Sequence, residues 1–451
     1  MNGYARRLGL FSGTMAVVGG IIGGGIFRTP AAVAERAGAT GLTLSVWLAG
    51  GAVALAGALC FGELGARRPR AGGGYVYLRE TWGPLTAFLY GWTLLLVIAT
   101  GAIAAVAVMF ADYLLALLGL PSRLTLPAAV GAIVLLSGIN YLGVRPGAFT
   151  QNVFTLLKLA ALATLIGAGL LLATPATSAV MPPVTHERGV VLAFGGALVP
   201  VLFTCGGWQQ TNFIAEEIVD PQRTLPRALV LGVLIVVAVY LAANLAYLRV
   251  LGLEGLARST APAAEVMERV LGPGGARLIA GGIAASTFGF LNLVILVTPR
   301  VFQAMAADGV FFPRLARIHP VYRTPGAAIV LQAVWAILLT LSGSFAQLVD
   351  YVTFGDWIFF GLTAASLFVY RRRDRADPAT GFRAPGYPWI PALFVLAAGY
   401  VVVSAIASNP RNAAVGTMLI GLGVPVYWYW ARRAGPPGAS TSTRMPEWTS
   451  P

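Results

Sequence analysis

Twelve apolar stretches, each long enough to cross a ~30 Å hydrocarbon layer as a helix, take up most of the 451 residues. They lie near 10–34, 42–64, 85–118, 126–142, 149–173, 190–215, 225–248, 278–306, 325–341, 348–370, 389–407 and 413–430. Hydrocarbon offers no hydrogen bonds, so a spanning segment must satisfy its own backbone, and runs of this length do so as helices. With 57% hydrophobic and 11% charged residues, the chain falls outside the soluble globular range. It is expected to be an all-α polytopic membrane protein: one transmembrane domain over 1–431, with a Pro, Gly, Ser and Thr-rich tail, 434–451, too polar to pack.

The net charge of +14 belongs to topology. With a cytoplasmic N-terminus, one set of connections carries Arg67, Arg68, Arg70, Arg145, Arg223, Arg227, Arg314, Arg371, Arg372 and Arg373. The opposite loops hold fewer, balanced by Glu35, Glu187, Glu254, Glu265 and Glu268. The positive-inside rule then puts both termini in the cytoplasm, and the location expected is the plasma (inner) membrane of a prokaryote. Arginines spent on orientation do not signal a nucleic-acid partner. Cys60 and Cys205 fall inside spans and His186 and His319 in connections, too few and too scattered for a metal site, a haem or a disulfide framework, so no cofactor is expected. The first span has no small-residue cleavage site and reads as a retained helix.

Two spans are interrupted. The first runs Gly19-Gly20-Ile21-Ile22-Gly23-Gly24-Gly25-Ile26-Phe27, with Pro30 following. Each glycine costs about 1 kcal/mol relative to alanine in a helix, and a packing face would space small residues by four, so a consecutive triplet fits unwinding. The sixth runs Phe203-Thr204-Cys205-Gly206-Gly207-Trp208-Gln209-Gln210. Spans one and six each open a group of five, and interruptions at matching positions of two halves point to a carrier's binding site. Unwinding exposes N–H groups of Gly24, Gly25 and Ile26 to a carboxylate and carbonyls near Ile21, Phe203 and Gly206 to an ammonium. Such a site reads the backbone of an α-amino acid.

Of thirty-one basic residues only Lys158 is a lysine, and it sits about 12 Å into the fifth span at 1.5 Å per residue. A charge at that depth costs roughly 2.5–3.5 kcal/mol and usually marks a cavity, an ion site or a proton route; snorkelling to the interface is the plain alternative. Asp356, in span ten, is the other deep charge. It either recognises a cationic group, carries a proton or bonds a neighbouring helix. Glu63, Glu216 and Asp308 lie near helix ends facing arginine-rich loops, where interfacial pairing is favoured over an inner latch.

Several blocks together resemble the amino acid–polyamine–organocation superfamily, most closely the L-type amino acid transporter family and its bacterial relatives. They are the glycine run 19–27, Gly62-Glu63-Leu64-Gly65-Ala66-Arg67, Pro69-Arg70-Ala71-Gly72-Gly73 with Tyr75-Val76-Tyr77-Leu78, Gly206-Gly207-Trp208 with Glu216-Glu217 and Asp220-Pro221, and Phe382-Arg383-Ala384-Pro385-Gly386-Tyr387-Pro388. The resemblance implies a LeuT-like fold of twelve helices. Its inverted repeats would cover about 8–173 and 190–370, helices 1 and 6 would be discontinuous, and two peripheral helices would occupy about 389–430. It assigns substrate binding to Ile21, Gly23, Gly24, Gly25, Ile26, Phe203, Cys205, Gly206 and Gln209, with Phe203 as outer gate. Lys158 matches a lysine that, in some bacterial members, takes the place of a sodium ion, and Ser286 aligns with a helix-eight hydroxyl beside it. Gly24 stands where close relatives commonly carry serine, and Cys205 where an aromatic is common.

The expected function is therefore secondary active transport of amino acids, neutral ones first. It would be sodium-independent, working as exchanger, uniporter or proton symporter, with the bilayer and possible protons as its other partners and no required protein partner. The alternatives are a proton-coupled basic amino acid or polyamine carrier, favoured by Asp356, and a channel or transporter-derived receptor. A channel needs a continuous polar path, whereas the breaks are isolated. With no nucleophile–base pair or metal cluster, the chain does not read as an enzyme.

Overall fold

A computed structural model describes residues 3–174, 189–343, 345–374 and 381–434, with 345–354 as backbone only. The expected tail beyond Ala434, and the loop with His186 and Glu187, lie outside them. Every regular element among the described residues is helical: α1 (Leu10–Ile21), α2 (Thr29–Ala37), α3 (Thr40–Arg67), α4 (Gly74–Trp82), α5 (Pro84–Thr93), α6 (Ala99–Leu118), α7 (Thr125–Tyr141), α8 (Val144–Gly167), α9 (Val190–Thr204), α10 (Pro221–Arg258), α11 (Pro262–Val297), α12 (Pro299–Ala307), α13 (Gly326–Ser342), α14 (Phe345–Arg373), α15 (Trp389–Ser408), α16 (Pro410–Gly421) and α17 (Gly423–Ala434). Nine helical spans among the described residues are long and apolar enough to cross a membrane; α1 and α13 are shorter apolar helices.

Both glycine interruptions unwind. After α1 the chain leaves helical geometry at Ile22 (ψ 91°), makes a short 3₁₀ turn at Gly25–Phe27 and restarts as α2 with Pro30 in its first turn, where its missing N–H costs nothing. α9 ends at Thr204 and resumes as a 3₁₀ stretch, Trp208–Glu217. The two breaks lie directly on one another. Gly207 has φ +106°, and a methyl added there would sit 2.1 Å from the Gly20 carbonyl oxygen, so only glycine satisfies both demands. Around this crossing, α10 packs along α1 and α3, and α8 and α11 pack on each other and on α1.

At one end of the molecule, polar groups bind the helices together. Glu63, wholly buried, accepts from Arg67 (2.8 Å), from Arg371 of α14 (2.6 Å) and from the Ala384 N–H (2.8 Å). Arg67 and Arg68 both reach Asp374, and Arg68 also reaches Glu80. Asp308 joins Tyr75 (2.8 Å) and Arg79 across α4 and α12, and Glu216 accepts the Ala71 N–H (3.2 Å). Apart from the Glu63–Arg67 pair within α3, these contacts join separate segments.

The most buried ion pair among the described residues is one that sequence reading passed over. Arg300 donates to Glu217 at 2.8 Å with both side chains at most 1% exposed, and the Glu217 carbonyl receives the N–H groups of Arg7 and Leu8. The N-terminal segment is thereby bound beneath the second half of the sixth span.

Breaking a buried pair strands an uncompensated charge, so Glu217→Gln is expected to cost about 3–5 kcal/mol. Glu254→Gln, in the exposed Arg258 pair, should cost under about 0.5 kcal/mol. Melting of detergent-solubilised protein checks both; equal shifts contradict the ranking. Gly207→Ala should cost at least about 2 kcal/mol in the same assay, from backbone strain and overpacking together.

Candidate functional site

The break in the first span exposes acceptors on one side and donors on the other. On the acceptor side, Lys158 Nζ donates to the carbonyls of Ile22 (2.6 Å) and Gly19 (3.1 Å). Ser286 of α11 donates to the carbonyls of Gly23 (3.0 Å) and Ile22 (3.3 Å). Lys158 is 0% exposed and has no carboxylate in ion-pair reach among the described residues. Its stem does not snorkel; the ammonium rests on unwound backbone. Along the same face of α8, Thr155 donates to the Met15 carbonyl (3.2 Å) and Gln151 meets Thr155 and Asn292 (3.2 and 3.0 Å). Gly19 lets this row approach, since a methyl there would lie 1.9 Å from Gln151 Nε2.

On the donor side, the N–H groups of Gly24, Gly25 and Ile26 have no acceptor among the described residues. They sit at the start of the second half-helix, where three unpaired donors and the dipole favour an anion. Each glycine of the triplet faces a different helix. A side chain at Gly23 would meet Phe290 of α11 (3.4 Å), at Gly24 the thioether of Met109 of α6 (2.7 Å), and at Gly25 Thr204 of α9 (2.8 Å). Unwinding and close approach therefore both require the run. Gly23, Gly24, Gly25, Met109 and Phe290 are all part-exposed, and Phe203, in the half of the sixth span away from the basic end, is 52% exposed.

The other sequence-derived residues fall in distinct places. The Ile21 carbonyl accepts the Gly23 N–H (3.0 Å) and the Tyr240 hydroxyl (3.1 Å); the Phe203 carbonyl accepts the Gly206 N–H (3.1 Å); the Gly206 carbonyl has no donor among the described residues. Gln209 turns back to accept the Gly207 N–H (2.9 Å), closing its own turn. Cys205 is buried and, with Gly206 and Gln209, borders a narrow apolar crevice of about 10 Å³ walled by Val53, Trp357, Phe360 and Phe394. Asp356 is half-buried without a hydrogen bond or ion pair among the described residues.

Sequence reading missed Met109, Phe290, Thr204 and Tyr240. For Met109 and Phe290 the chain carries no signal, since each is one apolar residue among many. Tyr240, Asn244 and Tyr247 were findable: at i, i+4 and i+7 they make a polar stripe on one face of an apolar helix.

Comparison with known proteins places the chain in a family. Residues 8–429 match the amino acid permease family. The chain is 32% identical over 439 residues to the serine/threonine exchanger SteT of Bacillus subtilis, covering 96% of this chain and 98% of that one. It is 34% identical over 414 residues to the human b(0,+)-type amino acid transporter 1, covering 90% and 83%. It is 32% identical over 452 residues to the human large neutral amino acids transporter small subunit 2, covering 95% and 81%. An unwound crossing of two helices, with free donors on one side and a seated cation on the other, is in this chain the centre of a member of the amino acid permease family.

Proposed function

We propose that the protein carries neutral α-amino acids across the plasma (inner) membrane by alternating access, without sodium, as an exchanger. The observation that carries this reading is the contact of the two breaks, with three unpaired N–H groups on one side and Lys158 on the other. A carboxylate binds at Gly24, Gly25 and Ile26, an ammonium at the carbonyls that end α1 and α9, and neither needs a charged side chain. Lys158 stands where a co-transported cation would otherwise neutralise the Gly19 and Ile22 carbonyls. Twelve spanning helices in two inverted five-helix repeats, both termini cytoplasmic, complete the reading. The closed basic end is then the cytoplasmic gate, and the described state is open outward, with Phe203 as the lid over the site.

Reconstitution into liposomes tests this. Labelled alanine, serine, threonine and leucine should enter only when the vesicles contain amino acid, at a rate indifferent to a sodium gradient. Failure to move any of them refutes the proposal; sodium-driven uptake refutes the role of Lys158. A lasting charge suits exchange, whereas a lysine that sheds its proton as a gate closes would make a proton symporter, seen as uptake driven by a pH gradient into empty vesicles.

Lys158→Met should lower uptake by about tenfold or more, because hydrogen bonds from a charged donor contribute roughly 1.5–3 kcal/mol and 1.4 kcal/mol is one decade. Normal uptake by that variant sinks the assignment. Asp356, half-buried and without an ion-pair partner among the described residues, supports a second reading, a carrier of basic amino acids or polyamines. Competition decides: arginine, ornithine or putrescine should displace labelled alanine poorly, and strong displacement favours the second reading.

A further inference from the structure

Arg28 breaks a local rule. It stands at the N-cap of α2 and makes no capping hydrogen bond. N-caps favour Ser, Thr, Asp and Asn, whose oxygen accepts an orphan N–H, whereas a guanidinium only donates. The positive end of the helix dipole repels a cation there as well. Nothing offsets these costs: Arg28 is exposed, and its side chain has no hydrogen bond, ion pair or ring contact among the described residues. A residue that costs stability where it stands and gains no polar partner points to a use outside the fold.

Backbone geometry puts Arg28 beside the three unpaired N–H groups. Gly24 is helical (φ −82°, ψ −15°), Gly25–Phe27 make a 3₁₀ turn and α2 follows directly, so Arg28 comes about one turn after Gly24. Residues four apart share a helix face. The other face of α2, with Pro30, Ala31, Val33, Ala34 and Ala37, is buried, and α2 packs chiefly on α9 and α10. Glu35, exposed two turns further along, does not pair with Arg28. A free guanidinium and three free N–H groups therefore gather at the start of one half-helix, all of the same sign. We propose that Arg28 is a specificity-determining residue: its fixed charge at the edge of the carboxylate site repels a cationic substrate side chain and favours a neutral or anionic one over it. This rests on the amino acid reading above and names the group that sets its charge preference.

The test is competition against labelled alanine in proteoliposomes with two matched pairs, arginine with citrulline and glutamate with glutamine. The members of each pair are close in size and differ in charge. Arg28→Asn removes the cation and supplies the missing cap oxygen, so it should melt no lower than the native protein. A unit charge within ~10 Å in a partly solvated site shifts a charged-to-neutral binding ratio by about tenfold. In Arg28→Asn, arginine should gain on citrulline by that factor and glutamate should lose ground to glutamine, while Arg28→Lys keeps both native ratios. Native ratios in Arg28→Asn, or equal changes in Arg28→Lys, overturn the role. Where arginine does not compete in the native protein, competition by it in Arg28→Asn supports the role and continued failure overturns it. If Arg28→Asn does not fold, the unmutated protein decides. Raising the ionic strength from about 0.01 M to about 1 M shortens the screening length from ~30 Å to ~3 Å and should improve arginine relative to citrulline; an unmoved ratio overturns the role. Unmutated protein that takes up no amino acid removes the transport reading and this one with it. Native uptake with unchanged ratios in Arg28→Asn removes only the role of Arg28.

Discussion

A carbonyl released from a helix inside hydrocarbon must find a donor, and the architecture around the first break is organised by that need. Four side chains from three helices supply it: Lys158 of α8, Ser286 of α11, and Tyr240 and Tyr247 of α10. None is exposed. Because each reaches a backbone atom of the first span, α8, α10 and α11 are all fixed relative to the same few residues. The remaining bundle packs outward from there.

Donors and acceptors are treated unequally. Carbonyls of the break are met by protein groups, whereas the N–H groups of Gly24, Gly25 and Ile26 are left for something else to satisfy. Side-chain donors fill much of the acceptor side of the break. Leaving the donor side empty gives it an affinity for anions that depends on backbone alone. At the opposite, basic end the Glu63 and Glu217 clusters tie helices together.

Much of this is visible in the chain as text. Three consecutive glycines cannot extend a membrane helix cheaply, and a second small-residue break five spans later marks the partner. Lys158 stands out because no apolar run accommodates a charge without a purpose. The ends of the apolar stretches agree with the helices to within a few residues at most places, the largest differences being where glycine kinks at Gly252 and Gly272 carry α10 and α11 past the apolar run. What could not be read is which residue lies against which. Met109 and Phe290 against the glycines, Arg300 against Glu217 and Tyr240 against both breaks are separated by tens to hundreds of positions.

The sequence by itself therefore determined the class of protein, the places where helices must stop and the one ammonium that had to be accommodated. These follow from local physics: hydropathy, glycine's cost in a helix and the price of a buried charge act on residues where they stand. Only the tertiary structure decided which carbonyls Lys158 serves, that a single phenol spans two breaks and that Arg300 meets Glu217. Hydrogen bonds and ion pairs reach about 3 Å, and no local pattern records which distant segments packing will bring within that range.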